Sequence, residues 1–175
     1  VQAVNAAANN LNTSTSIETR QAAAKQTAVV ANQQNQLAKT VTVEANAVVD
    51  ASATQQGNAG NIVIWSEIKT SINGMLKAVG GMLGGNGGFI ETSSKGAVTV
   101  GSQFKVNTSA PKGNTGLWLL DPIDLVIDAG AANVISAALE NNNVTIEVNG
   151  NVCPSLGSCT QNGSGSLTIA SGADI

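Results

Sequence analysis

Three aspartates stand close together in the second half of this 175-residue chain, at Asp121, Asp124 and Asp128. Carboxylates in such a cluster can act as the acid and the base of glycosidic cleavage, or they can bind calcium. Asp124 and Asp128 are an even number of residues apart, which places both on one face of a strand. However, no Lys, Arg or His lies nearby to tune them. The alternative is that Asp121-Pro122 forms a turn that ends a strand, since Asp hydrogen-bonds the backbone beyond it and Pro fixes its own φ.

The two cysteines, Cys153 and Cys159, flank the sequence Pro-Ser-Leu-Gly-Ser. In an oxidising compartment this spacing predicts a small disulfide loop. Zinc is the poorer alternative, because a zinc site takes about four ligands and the chain has neither a His nor another Cys pair. The absence of His also excludes a nucleophile–base pair that uses imidazole, and neither cysteine has an obvious activating cation. We therefore expect no catalytic residue, no cofactor and no metal, and we predict that the protein is not an enzyme.

The glycine-rich run 84–88, reading GGNGG, allows three interpretations. A phosphate-binding loop would need a Lys followed by Ser or Thr, which are missing, and a calcium-binding nonapeptide repeat would need an Asp where the chain has Phe89. A tight corner is favoured, with Gly87 and Gly88 as structural residues, because glycine adopts positive φ freely. Trp118 is flanked by leucines, so a packing role is favoured over a role in recognition.

The composition narrows the class of protein. Aromatic residues are 2% of the chain, so the core must be built from aliphatic side chains. Charged residues are 11%, well below the usual quarter, and the polar surface comes from Asn, Ser, Thr, Gln and Gly. A net charge of −3 without a basic run argues against nucleic acid and against an anionic membrane surface. No apolar run approaches the roughly 20 residues of a membrane span, so we expect no membrane insertion and place any targeting segment outside this chain.

From Thr40 onward, short β-branched strands alternate with Gly, Asn and Ser clusters. Six strands, beginning at residues 41, 62, 89, 117, 144 and 167, follow one another at intervals of 21 to 28 residues. That period is typical of one coil of a solenoid, in which strands stack about 4.8 Å apart. Subsidiary strands are predicted at 98–100, 104–106 and 125–127. The alternative is a β-sandwich, but it would favour hairpin turns and larger core aromatics.

The amino-terminal region has a different character. Within residues 1–39, which are rich in Ala, Asn and Gln, the sequence Thr15-Ser16-Ile17-Glu18 fits a helix-capping box. Residues 16–38 could form a helix with a weak apolar stripe that packs lightly on something else. The stripe consists of Ile17, Ala24, Ala28 and Leu37. A flexible polar arm is the alternative. The predicted organisation is therefore an arm over 1–39, followed by β-helix coils over 40–175.

Three motifs follow one another in the second region: GNAGNIVIWS at 57–66, GGNGGFIETS at 84–93 and WLLDP at 118–122. In this order they resemble the exoproteins of bacterial two-partner secretion, the filamentous haemagglutinin-like adhesins. The segment 135–146 also resembles the coil that follows the WLLDP segment in that family. The resemblance covers roughly residues 40 to 175, and residues 1–39 have no counterpart.

This resemblance implies an all-β fold, a right-handed parallel β-helix, in an interior or carboxy-proximal piece of a longer precursor. It implies secretion through a dedicated outer-membrane pore to the bacterial surface and adhesion to an unidentified receptor on host or bacterial cells. Some members of the family carry sugars on asparagines, and Asn-x-Ser/Thr sites occur here at Asn12, Asn107, Asn143 and Asn162. The alternative functions are a self-assembling filament, since an open solenoid end exposes strand edges, and a carbohydrate-active enzyme.

Overall fold

The computed structural model describes residues 38–148 and 164–175 and is mostly β-structure. The strands are β1 (Thr40–Val43), β2 (Val48–Asp50), β3 (Asn61–Ser66), β4 (Lys69–Ile72), β5 (Met75–Lys77), β6 (Phe89–Val100), β7 (Lys105–Asn107), β8 (Leu117–Ile127), β9 (Asn143–Ile146) and β10 (Leu167–Ile169). One helix, α1 (Ala129–Leu139), lies between β8 and β9. The predicted helix at 16–38, apart from Ala38, lies outside the described residues, as do the predicted disulfide Cys153–Cys159 and the sequons at Asn12 and Asn162.

The described strands form two sheets in which each pairing is parallel. The larger sheet has seven strands, and the smaller has the order β2-β5-β7. β6 and β8 are long because each continues where an earlier part of the chain has two separate strands: the first half of β6 pairs with β3, and its second half pairs with β4. A parallel pair needs a long connection between its strands. Here each connection contains other strands, and we call the stretch of chain from one strand to the next strand paired with it a pass.

The register between successive passes is regular. Asn61 pairs with Phe89, and Phe89 pairs with Leu117, so both pairings join positions 28 residues apart. The pairing of Leu125 with Leu167 spans 42 residues. The additional residues lie between β9 and β10, in the interval that contains both cysteines. The other described pairings join positions 26 to 30 residues apart, so the large departure from this spacing comes only after β9.

The core follows from alternation along the strands. In β3 the even-numbered side chains are buried, whereas the odd-numbered ones are partly exposed. Ile62, Ile90, Trp118 and Val144 occupy successive registered positions and form one row through the core. Full burial of an aliphatic side chain of this size contributes about 1.5–3 kcal/mol. The stacked rows explain how a chain with so few aromatic residues can form a core.

Helix α1 was not predicted, since the sequence indicated β-structure throughout this region. It begins after Asp128, whose side chain accepts a hydrogen bond from the backbone N–H of Ala131 at 2.8 Å, a standard N-cap arrangement. Its buried residues, which include Ala132 and Ile135, join the main core. In chain order α1 follows the second half of β8, the place that β5 and β7 occupy in the preceding passes. The helix thus replaces the next strand of the smaller sheet.

The prediction that Asp121-Pro122 ends a strand was wrong. β8 runs from Leu117 to Ile127, and Pro122 lies in register with Ser94 of β6. The register between β6 and β8 shifts just after this pair, where two residues of β6, Lys95 and Gly96, face one of β8, Ile123. Proline is tolerated at such irregular positions because it has no N–H to give to a ladder. The pair therefore lies next to a register shift within a continuous strand.

Candidate functional site

The three aspartates have different partners in the described chain. Asp128 caps α1, and Asp124 accepts hydrogen bonds from the backbone N–H groups of Ser164 and Ser166 at 3.0 and 2.9 Å. Asp121 lies before the register shift of β8, in register with Ser93, whereas Asp124 lies after it. The prediction that Asp124 and Asp128 share one strand face fails, because the strand ends at Ile127.

The carboxylate of Asp124 binds backbone N–H groups of the segment before β10. The pKa of its carboxyl is lowered chiefly by the hydrogen bond from the Ser166 backbone, with further contributions from Ser164 and Gly165. The charged form is therefore the one that receives these donors. Asp124 connects β8 to the segment that leads into β10, on the far side of the interval 149–163.

Trp118 lies in the core and has no exposed surface. Its indole Nε1 donates a hydrogen bond to Thr92 Oγ1 at 3.0 Å, and its ring lies 5.3 Å from that of Phe104 in a tilted arrangement. A buried indole requires a partner for its N–H, which Thr92 provides. The residue packs against neighbouring passes and is not accessible to a ligand.

The glycine-rich run forms a corner, but different glycines serve different purposes. Positive φ angles occur at Gly84 and Gly85, at 150° and 128°. Gly87 and Gly88 do not have positive φ, so the predicted reason for them was wrong. They are required for space: a Cβ would meet the Thr108 carbonyl oxygen at Gly87 and the Gly60 carbonyl oxygen at Gly88. The backbones of neighbouring passes approach too closely there for any side chain.

An asparagine ladder follows the same corner and was missed in the sequence. Asn58 Oδ1 accepts from the Asn86 backbone N–H at 2.8 Å, and Asn86 Oδ1 accepts from the Asn114 backbone N–H at 2.9 Å. Both contacts join residues 28 apart. The signal was present, because the pattern Gly-Asn-x-Gly begins at Gly57, Gly85 and Gly113. Each asparagine thereby supplies an acceptor to the next pass.

A row of hydroxyl groups, hereafter the hydroxyl row, lies on the outside of the larger sheet. Thr42 is in register with Ser71, and Ser71 is in register with Thr99. Thr42 and Thr99 are exposed and Ser71 is half-buried. Identical chemistry repeated at strand spacing, about 4.8 Å, suits a surface that makes many equivalent polar contacts.

A second outward-facing surface is buried, and we call it the covered face. It consists of alternate residues of β6 and β8: Phe89, Glu91, Ser93, Leu117, Leu119 and Asp121. Phe89, Leu117 and Leu119 form a cluster separate from the main core, with the partly buried Val63 packed against it. Glu91 Oε1 accepts a hydrogen bond from Ser93 Oγ at 2.9 Å. No pattern in the sequence distinguishes this face from a solvent-exposed one.

Within the two described ranges, no group of three or more His, Cys, Asp or Glu residues is arranged to hold a metal ion. No helix of the described chain is long and apolar enough to cross a membrane. Comparisons with protein-family models, with curated proteins and with solved structures gave no match.

Proposed function

We propose that this chain is a right-handed parallel β-helix and forms part of the adhesive shaft of a bacterial surface fibre. The observation that carries the proposal is the constant 28-residue register of β3, β6 and β8, reinforced by the asparagine ladder between successive passes. Such a stack can be extended by any number of further passes, which suits a shaft. A far-ultraviolet circular dichroism spectrum dominated by helix would contradict the fold.

The adhesive contacts are assigned to the polar outer rows. The hydroxyl row presents equivalent donors and acceptors on consecutive strands, with Thr42 and Thr99 open to solvent. Each contact is weak, but contacts on one rigid body act together, so the overall affinity exceeds that of any single one. The resemblance to two-partner secretion exoproteins supports export through an outer-membrane pore and a receptor on host or bacterial cells.

Attachment can be tested with beads that carry the purified chain. We expect coated beads to attach to epithelial cells or to bacteria more often than beads coated with the heat-unfolded chain. The triple variant T42E/S71E/T99E should reduce attachment, because charge replaces hydroxyls along the row, whereas K112E in an exposed loop should not. Attachment no greater than that of the unfolded control would reject the proposal.

A second candidate function is self-assembly into a filament, which one observation favours. Leu167 and Ile169 of β10 continue the core rows of Leu125 and Ile127, but they are 48% and 58% exposed. An apolar row that ends open to solvent beside a strand edge can template the docking of another copy. Concentration-dependent light scattering that disappears in L167K/I169K would support assembly, and scattering unaffected by these changes would oppose it.

A further inference from the structure

One series of paired strands runs through the larger sheet from one edge to the other. Its order is β1-β4-β6-β8-β10, so β1 and β10 are the two ends of the series. Within the described chain, no strand pairs with the far edge of either one. The edge of a strand presents backbone N–H and C=O groups in a row, which can pair with a strand of another chain.

The two edge strands have matching side chains. Residues 41–43 read Val-Thr-Val and residues 167–169 read Leu-Thr-Ile, so each triplet places a threonine between two aliphatic residues. Val43 is in register with the buried Ile72, and Leu167 is in register with the buried Leu125, so the aliphatic positions belong to core rows at both edges. Both threonines are exposed.

The backbone of β1 directs specific groups to its open edge. The Val43 carbonyl accepts a hydrogen bond from the N–H of Asn73, just after β4, at 2.8 Å. In a parallel sheet, successive residues of a strand direct their N–H and C=O groups to opposite sides. The groups of Thr40 and Thr42 therefore face away from β4, toward the open edge.

The backbone of β10 presents the complementary groups. The Ala170 N–H donates to the Ile127 carbonyl of β8 at 2.9 Å. By the same alternation, the N–H and C=O groups of Leu167 and Ile169 face away from β8. Their side chains are 48% and 58% exposed. At this end of the series, an open backbone edge and an open apolar row therefore coincide.

Neither edge strand carries a residue that would repel a partner strand. Proteins usually protect strand edges with charged side chains, prolines or bulges. The sequences of β1 and β10 contain no charged residue and no proline. Two such edges can therefore approach each other without burying a charge or losing a backbone donor.

We propose that β10 of one copy pairs in parallel with β1 of a second copy, so that the chains join head to tail. This inference rests on the proposed self-assembly and adds the surface that receives β10. Residues 167–169 lie opposite residues 41–43, which continues both core rows across the junction. The Thr42 N–H donates to the Leu167 carbonyl, and the Ile169 N–H donates to the Thr42 carbonyl.

The two surfaces of this contact are different, so the contact can repeat from copy to copy along the direction of the stack. Each copy adds the five strands of the series to one continuous sheet. At a strand spacing of about 4.8 Å, the filament therefore grows by about 24 Å per copy.

Two defective chains test the direction of the contact. L167K/I169K keeps β1 but loses the apolar row of β10, whereas Thr42→Pro keeps β10 but lacks the N–H at the open edge of β1. Neither variant should assemble alone, and an equal mixture should form a dimer with one copy of each and nothing larger in analytical ultracentrifugation. Thr42→Ala keeps the N–H and should assemble like the unchanged chain.

The outcomes separate the pairing from self-assembly itself. If assembly is lost in L167K/I169K but persists in a folded Thr42→Pro chain, β1 is not the partner, and self-assembly through β10 remains. If the unchanged chain does not assemble at any concentration, both proposals are rejected.

Disulfide cross-linking tests the register without a proline. In a mixture of unlabelled T168C chains and ¹⁵N-labelled T42C chains, mild oxidation should join the two introduced cysteines, because the Cα atoms of paired residues lie within the range of about 4.4–6.8 Å that a disulfide spans. Mass spectrometry of the linked peptides distinguishes this bond from any formed by the native Cys153 and Cys159.

T99C is the matched control for T42C. Thr99 is also an exposed threonine on the outside of the same sheet, but its strand β6 has a neighbour on each side, β4 and β8. The T168C chain should therefore link to T42C at least about tenfold more than to T99C. Equal yields with the two partners would reject the pairing of β10 with β1.

Discussion

The side chain of Asn142 completes the hydrogen bonding of Thr108 across the end of the smaller sheet. Its Oδ1 accepts from the Thr108 backbone N–H at 2.6 Å and from the Thr108 hydroxyl at 2.9 Å. Its Nδ2 donates to the carbonyls of Ala138 and Val106. Where α1 replaces a strand, the edge of β7 loses a neighbour, and this one amide bonds both the edge and the last turn of the helix.

Replacement of Asn142 by alanine should therefore destabilise the protein more than most substitutions of a single polar residue do. We expect a loss of about 3 kcal/mol in the free energy of unfolding, because several buried backbone groups lose their partner. Urea denaturation followed by circular dichroism measures it. Asn141→Ala, at an exposed neighbouring position, should cost less than about 0.5 kcal/mol. Equal effects in the two variants would contradict the proposed role.

Trp118 should contribute to the stability of the fold through both the volume of its side chain and the hydrogen bond of its indole N–H. Trp118→Ala should cost about 3–5 kcal/mol from the cavity, whereas Trp118→Phe should cost about 1–2 kcal/mol, mainly through loss of the bond to Thr92. In a W65F background, which leaves Trp118 as the single fluorophore, emission should be blue-shifted and poorly quenched by acrylamide. Efficient quenching would mean that Trp118 is open to solvent.

Gly88→Ala should prevent the normal approach of two passes. The new Cβ would collide with the Gly60 carbonyl oxygen, which is backbone and cannot move aside, so we expect a loss of about 3 kcal/mol or more. Gly130→Ala is the matched control, because its Cβ would have Asp128 Oδ1 as nearest neighbour at 3.3 Å. In α1 this change should cost far less than Gly88→Ala, because the Asp128 side chain needs to move by only a few tenths of an ångström and alanine favours a helix more than glycine does. Thermal unfolding of both variants distinguishes a spatial requirement from a general intolerance of glycine replacement.

The lowered pKa of Asp50 predicts that the stability of the folded chain decreases at acid pH. The hydrogen bond from Lys77 lowers its pKa from 3.8 to about 2, with help from Ser52. Because the pKa is lower in the folded state, the stabilisation is present above about pH 4 and is lost as the pH falls toward 2. The pair is partly exposed, so its contribution is about 0.5 kcal/mol or less. Asp50→Asn should lower stability at pH 6 and not at pH 2, and a difference that persists at pH 2 would rule out the charge as its cause.

The strand positions were readable from the sequence, because alternating β-branched residues and glycine-rich corners recur at an almost constant interval. Each of the predicted strand segments overlaps a strand of the structure. The helix was not predicted, because the alanine-rich stretch after Asp128 lies in the region that was assigned as a whole to β-helix coils. Its capping aspartate was the available signal, but it was interpreted as part of a carboxylate cluster.

The site residues were harder to assign, because their roles depend on the neighbouring pass. The glycine-rich composition identifies the corner. Only the structure shows that Gly88 is needed because the neighbouring backbone leaves no room for a Cβ, and that Gly85 has a positive φ angle. Glu91 gave no signal in the sequence that it would be buried. Its burial depends on what packs over the sheet, which a local pattern does not encode.

The constant register between β3, β6 and β8 makes the length of this protein a modular property. A chain that lacks residues 61–88 would join Gly60 directly to Phe89, retain a complete Gly-Asn-x-Gly corner and be shorter by one strand spacing, about 4.8 Å. Duplication of the same segment would lengthen the stack by the same step. Gain or loss of 28 codons in this region would thus change the number of registered strand layers by one and leave the sequence on either side unchanged.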